Sequence, residues 1–204
     1  MDAAAIHACT AFAGTQRLAG GPVRDVARAV KTHLNAHPES QVLVFDNTSA
    51  QPVEFDLRGT VEDVLARLDR AVPSAVEPTE SESRPRGPGR PKLGVIAREV
   101  TLLPRHWDWL AAQPGGASVT LRKLVEDARR AAEGADRRRV AQEAAYRFMS
   151  AMAGNAAGFE DATRALFAAD AMAFESLTQS WPADVRDFAR ELASQAFNPQ
   201  QEAA

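Results

Sequence analysis

From Ile6 to Ala13 apolar residues run almost unbroken, and from Pro22 they switch to helical spacing, with Val23, Val26, Ala27, Val30 and Leu34 on one face. The first run reads as a strand. The second reads as a core-facing helix with Pro22 at its first position, where a fixed φ suits the start, and Gly14-Thr15 and Gly20-Gly21 punctuate the stretch between them. Gln41 to Asp46 is another continuous apolar strand, Asn47 to Gln51 is a polar turn, and Val53, Phe55 and Leu57 alternate as the inward face of a return strand. A hairpin is expected from that order. Thr60 and Asp63 stand at capping-box spacing ahead of a helix with the stripe Val64, Leu65, Leu68, which Pro73 ends. GPVRDVARAV from Gly21 echoes GTVEDVLARL from Gly59. The echo is read as two helices started with similar chemistry, with duplication of a strand-strand-helix unit as the alternative.

Beyond a Pro/Glu/Ser/Gly run, Val95 to Leu103 is rich in β-formers, and Pro104 opens a helix with Trp107, Leu110 and Ala111 on one face. Pro114-Gly115-Gly116 stops it. Ser118 is the expected N-cap of a second helix whose stripe is Leu121, Leu124, Val125 and Ala128, with Arg122, Lys123, Arg129 and Arg130 mostly off it. From Asp136 the chain is Ala-rich, with helices expected over Val140 to Met152, Phe159 to Ala168, Ala171 to Leu177 and Pro182 to Phe197, broken at Gly154, Gly158 and Trp181-Pro182. Their aromatic residues sit at core spacing. The fold class is therefore α+β: a small N-terminal antiparallel sheet with two helices (1–72), a Pro/Gly/Arg-rich linker (73–94), a strand-helix-helix unit (95–134) and a C-terminal helical bundle (135–204).

Charge changes this picture more than bulk composition does. Arg84 to Arg139 holds thirteen Lys/Arg against six Asp/Glu, whereas the whole chain of 204 residues has a formal charge of −3. A basic middle between acidic flanks attracts phosphate whatever the global balance. Cys9 is the only cysteine, so no intramolecular disulfide forms, no Cys-rich metal site exists, and an inert buried thiol is expected. No leader-like or bilayer-length apolar segment stands out, and a cytoplasmic, membrane-free protein is the expectation.

The run Arg98-Glu99-Val100-Thr101-Leu102-Leu103-Pro104, then helix, Gly turn, Ser118 and basic helix, resembles a ribbon-helix-helix DNA-binding unit. That resemblance implies an obligate homodimer whose paired strands enter the major groove, with phosphate held at the second helix's N-terminus. Arg98, Val100 and Leu102 occupy the usual base-reading register, and two of these are apolar; the opposite register offers Glu99 and Thr101. Either base discrimination is poor, or the unit serves dimerisation only. Gly89-Arg90-Pro91-Lys92 resembles the core of an AT-hook, an arm that lays Arg along the narrow minor groove of A·T-rich DNA, although Pro88 stands where that element has Arg. The residues for DNA contact are Arg84, Arg86, Arg90, Lys92, Arg98, Thr101, Ser118, Arg122 and Lys123, with Arg129 and Arg130 weaker. Those for the dimer are Val100, Leu102, Trp107, Leu110, Leu121, Leu124 and Val125.

Arg137-Arg138-Arg139 is expected to start a helix, the unfavourable end for cations unless phosphate or Asp136 compensates. His33 and His37 have metal-pair spacing but lack a third ligand, and read as a surface pair. No nucleophile-elbow, dinucleotide, Walker or zincin motif is found, the adjacent acids such as Glu62-Asp63 diverge around their helices, and no cofactor or catalytic residue is assigned. The blocks GRPKLGVIAREVTLLPRHWDWLAAQPGGAS and GFEDATRALFAADAMAFESLTQSWPADVR resemble a bacterial family of the domain-of-unknown-function type, which implies a bacterial cytoplasmic protein and transfers no catalytic role. The leading expectation is a dimeric, non-enzymatic DNA-binding or nucleoid-associated regulator, with the N-terminal domain available to a protein partner. The rival is a protein-interaction adaptor whose strand-helix-helix unit only dimerises, and an enzyme with a pocket between the N-terminal sheet and its helices is a third.

Overall fold

The computed structural model describes residues 8–71, 96 and 98–197. These fall into two units, one built from residues 8–71 with 134–197, the other from residues up to 133 that follow the linker. The first unit holds a three-stranded antiparallel sheet of order β2-β1-β3, from β1 (Ala8–Ala13), β2 (Gln16–Pro22) and β3 (Val42–Asp46). Helices α1 (Val23–Ala36) and α2 (Val61–Ala71) belong to it, as do α5 (Phe159–Phe167), α6 (Ala171–Leu177) and α7 (Ala183–Phe197). The second unit holds α3 (Pro104–Ala111). Helix α4 (Gly116–Ala153) begins in the second unit and ends in the first.

The sheet is covered on both faces. Alternation along β1 sends Cys9 and Ala11 one way, into a core with Val26 and Val30 of α1 and Val44 of β3. It sends Phe12 the other way, together with Phe45, into a core shared with Phe148 and Met149 of α4, Leu166 of α5 and Phe188 of α7. The rings of Phe12, Phe45, Phe148 and Phe188 form one aromatic cluster with centroids 4.8–6.3 Å apart. The sequence separates residues 1–72 from 135–204, but in the structure these two segments close on a common core. The nearly unbroken apolar character of β1, with Thr10 its one polar residue, is the physical reason, because a strand buried on both faces does not alternate apolar with polar.

Several local expectations are corrected. Gln16–Pro22, read as a glycine-punctuated connection, is the edge strand β2, tied to β1 around a bulge where Ala11 faces Ala19 and Phe12 faces Arg17, leaving Leu18 as the extra residue. Pro22 therefore ends β2 as the N-cap of α1, with extended φ −54 and ψ 138, and the helix starts one residue later than expected. The return strand at Val53 to Leu57 does not form a ladder: one bridge joins Phe45 to Pro52, and Val53 N–H donates to the Val44 carbonyl at 2.8 Å. Val53, Phe55 and Leu57 still pack inward on the α1 side, so the side-chain alternation is kept without the pairing. β3 pairs instead with β1, Cys9 opposite Asp46 and Ala13 opposite Val42.

The echoed decapeptides do mark helix starts, at Val23 and Val61. Thr60 and Asp63 form the reciprocal cap: Thr60 N–H donates to Asp63 Oδ2 at 2.9 Å and Asp63 N–H to Thr60 Oγ1 at 3.2 Å. These bonds hold the Asp63 carboxyl below its ordinary range. Burial, reinforced by the nearby Asp46 charge, pushes the Cys9 thiol up to about 11, as expected of an inert buried cysteine. The last three helices, α5 to α7, fall close to their expected limits, whereas the helix expected over Val140 to Met152 is the second half of the longer α4, and Trp181 is fixed by an Nε1–H bond to the Ala157 carbonyl at 3.0 Å. No helix among the described residues is long and apolar enough to cross a membrane.

Candidate nucleic-acid interface

Arg84, Arg86, Arg90 and Lys92, the arm resembling an AT-hook, lie outside the described residues. Just before α3 the chain takes no regular secondary structure. Residues 98–103 carry no ladder among the described residues, and Leu103 has φ −67 and ψ 149 immediately before Pro104 opens α3 at the expected position. The chain turns after α3 through Gly115 and Gly116, both left-handed at φ 89 and 72, a conformation that glycine adopts without the Cβ penalty.

Helix α4 then starts at Gly116, so Ser118 lies inside its first turn and is not the N-cap expected from sequence. The glycines themselves redirect the backbone, and the helix needs no Ser cap to begin. The helix also continues past Gly134, which places Arg137-Arg138-Arg139 in its middle and not at a start. Ala-rich sequence on both sides sustains the helix across a single glycine, whose cost of about 1 kcal/mol is small against so many strong helix formers.

No residue of α4 from Gly116 to Val140 is buried, whereas Ala141, Ala144, Ala145, Phe148 and Met149 carry the core stripe of its second half. The stripe Leu121, Leu124, Val125, Ala128 therefore faces open space or only partial cover. Of the seven apolar residues assigned to a dimer, Leu110 alone is buried; Leu102 and Leu121 are half-buried, and Val100 (54%), Trp107, Leu124 and Val125 (64%) are exposed. The sequence reading left out three more exposed apolar side chains here: Ile96 (76%), Leu103 and Trp109. A signal was available, since Trp107 and Trp109 are two apart and cannot share one helix face.

The cations of this unit that lie among the described residues divide into two sets. Arg129 donates to Glu126 Oε1 at 2.8 Å and Arg130 approaches the same oxygen at 3.3 Å, contacts that hold the Glu126 carboxyl below its ordinary range. Arg98, Arg105, Arg122 and Lys123 are exposed and form no ion pair among the described residues; Thr101 and Ser118 are exposed beside them in sequence. Of these free cations, Arg105 was not picked out from sequence. Burying or pairing a cation weakens the field a phosphate would meet, so among the described residues of this unit the four unpaired ones contribute most to it.

Elsewhere, His33 Nε2 lies 2.9 Å from Ser40 Oγ and the His33 and His37 rings are 4.9 Å apart. Among the described residues no group of three His, Cys, Asp or Glu could hold a metal ion. A hollow of about 490 Å3 lies against α1 at these rings, bounded also by Leu18 and Thr32, with Asp25 paired to Arg28 at its rim.

This α+β chain belongs to the family described as "Uncharacterized protein conserved in bacteria (DUF2239)", whose model matches residues 8–193. The match runs across both units. No curated protein and no solved structure matches the chain.

Proposed function

We propose that this protein is a dimeric DNA-binding or nucleoid-associated regulator, in which the basic arm and the unit from Arg98 to Arg130 contact DNA and a second copy of the chain. The observation that carries the reading is the coincidence, among the described residues of one short unit, of four unpaired exposed cations with a row of exposed apolar side chains. Phosphate answers the first and a second copy answers the second. A lone β-rich segment before a helix pair cannot close a sheet, so two copies pairing strand to strand would complete a ribbon and cover Val100, Trp107, Leu124 and Val125.

Arg86, Arg90 and Lys92 would supply minor-groove or phosphate contacts, and Arg98, Arg122 and Lys123 phosphate contacts near the ribbon. One observation favours the adaptor reading: Ile96 and Val100 present apolar surface where base readout would need hydrogen-bonding groups. In that reading the same unit only dimerises, and the arm is a tether.

Titration of the full chain into fluorescent A·T-rich and G·C-rich duplexes, with an Arg86/Arg90/Lys92→Ala variant alongside, separates them. Micromolar or tighter binding that prefers A·T and weakens in the variant supports the regulator. Absence of binding at low salt, with a dimer intact by sedimentation, rejects it in favour of the adaptor.

A further inference from the structure

In the first unit, the loop after β3 and the face of α7 enclose a small pocket of about 170 Å3. Asn47 and Thr48 form one wall, Glu191, Ser194 and Gln195 another, and Val140 of α4 lies between them. We propose that this pocket binds a small aliphatic amine, with the ammonium held by the Glu191 carboxylate.

The loop is built more firmly than a connection of its length requires. Asp46 Oδ1 accepts from Thr48 N–H at 3.1 Å and from Ser49 N–H and Oγ at 2.7 Å each. Arg147 of α4 donates to the Ser49 carbonyl, and the fully buried Ala50 is left-handed at φ 50, a conformation that costs a residue with a Cβ. Pocket walls held this way are organised before any ligand arrives, which lowers the ordering cost of binding.

Hydrogen-bond accounting sets the ligand's polarity. The buried Thr10 hydroxyl donates to Asn47 Oδ1 at 2.8 Å, so the Asn47 amide presents its N–H donors elsewhere. Ser194 Oγ donates to the Glu191 carbonyl at 2.8 Å, leaving its lone pairs as acceptors. Among the lining residues Glu191 is the one charged group, and no Lys or Arg lines the pocket. Arg17 pairs with Glu191 Oε2 at a long 3.5 Å while it also lies over the Phe188 ring, so an ammonium at this half-exposed carboxylate would compete with that weak pair. An ammonium would find acceptors in Glu191 and Ser194, and an aliphatic stem would lie along Val140.

The site does not depend on the nucleic-acid reading. The test is calorimetric titration of the full chain with 1,4-diaminobutane and with its neutral analogue 1,4-butanediol. Variants Glu191→Gln and Thr48→Trp alter the pocket, and Glu160→Gln removes an exposed acid outside it. Saturable binding of the diamine, at least about tenfold weaker in the Glu191→Gln and Thr48→Trp proteins and unchanged in Glu160→Gln, is the expected result. Glu191→Asp, which keeps the charge, should retain part of the affinity. No binding up to about 10 mM, equal binding of the diol, or equal loss in Glu160→Gln would overturn the proposal.

Discussion

Truncating Phe12 in β1 should destabilise Trp181, far away in sequence just before α7. Phe12 is fully buried, and its ring meets Phe45, Phe148 and Phe188 at centroid distances of 6.3, 5.3 and 5.6 Å. Removing such a ring leaves a cavity that the rigid neighbours only partly close, a loss of about 3–5 kcal/mol. Against a typical total stability of about 5–15 kcal/mol, Phe12→Ala should remain folded in buffer. With a urea slope of about 2 kcal/mol/M, its midpoint should fall by about 1.5–2.5 M.

The assay is urea unfolding followed by Trp181 fluorescence in a Trp107→Phe/Trp109→Phe background, with far-ultraviolet circular dichroism as the second probe. Both replaced tryptophans are exposed, so the background leaves the core intact. One core shared by the N-terminal sheet and the C-terminal helices requires the Trp181 transition to move with the full shift. A Trp181 transition unmoved by Phe12→Ala would show that the two segments fold as separate bodies, and the reasoning would fail.

Other consequences are local. Thr60→Ala removes one half of the cap on α2 and should cost about 0.5–2 kcal/mol by the same denaturation measurement. Hydrogen bonds from Arg58, at 2.8 and 2.7 Å, hold the Asp56 carboxyl well below its ordinary 3.8, so its contribution is complete above that pH and is lost as pH falls below it. Asp56→Asn should therefore flatten the acid side of a thermal-midpoint profile without moving the neutral side relative to its own plateau. The Cys9 thiol, raised to about 11 and fully buried, should react with a thiol reagent at pH 8 only as fast as the protein unfolds, whereas rapid labelling of the native state would contradict its placement.

Much of the helical architecture was legible because each amphipathic stripe carries its own period. Val26, Ala27 and Val30 are the buried face of α1, and the Thr60-Asp63 cap is present atom for atom. Strand pairing was less legible. Nothing in QRLAGGP alternates, and β2 exists because the adjacent β1 offers it a partner, while Val53 to Leu57 alternates correctly but lies where only one bridge forms. Closure of the second sheet face was hinted at by the nearly unbroken apolar β1, yet the covering helices lie more than a hundred residues away, beyond the reach of local pattern.

The candidate interface divides in the same manner. Sequence located the basic segment and most of its apolar residues, but not which cations lack partners. Pairing of Arg129 and Arg130 with Glu126 is set by helical spacing, whereas the freedom of Arg98, Arg105, Arg122 and Lys123 depends on what the tertiary structure leaves beside them.

The most direct measurement is the salt dependence of duplex binding by the full chain and by an Arg98/Arg105/Arg122/Lys123→Ala variant. Each phosphate contact contributes about 0.9 to the slope of log affinity against log salt. A steep negative slope in the native protein, shallower by about 2–4 in the variant, is the expected result. A flat slope, or a variant whose slope and affinity match the native protein, would contradict the assignment of these cations to DNA.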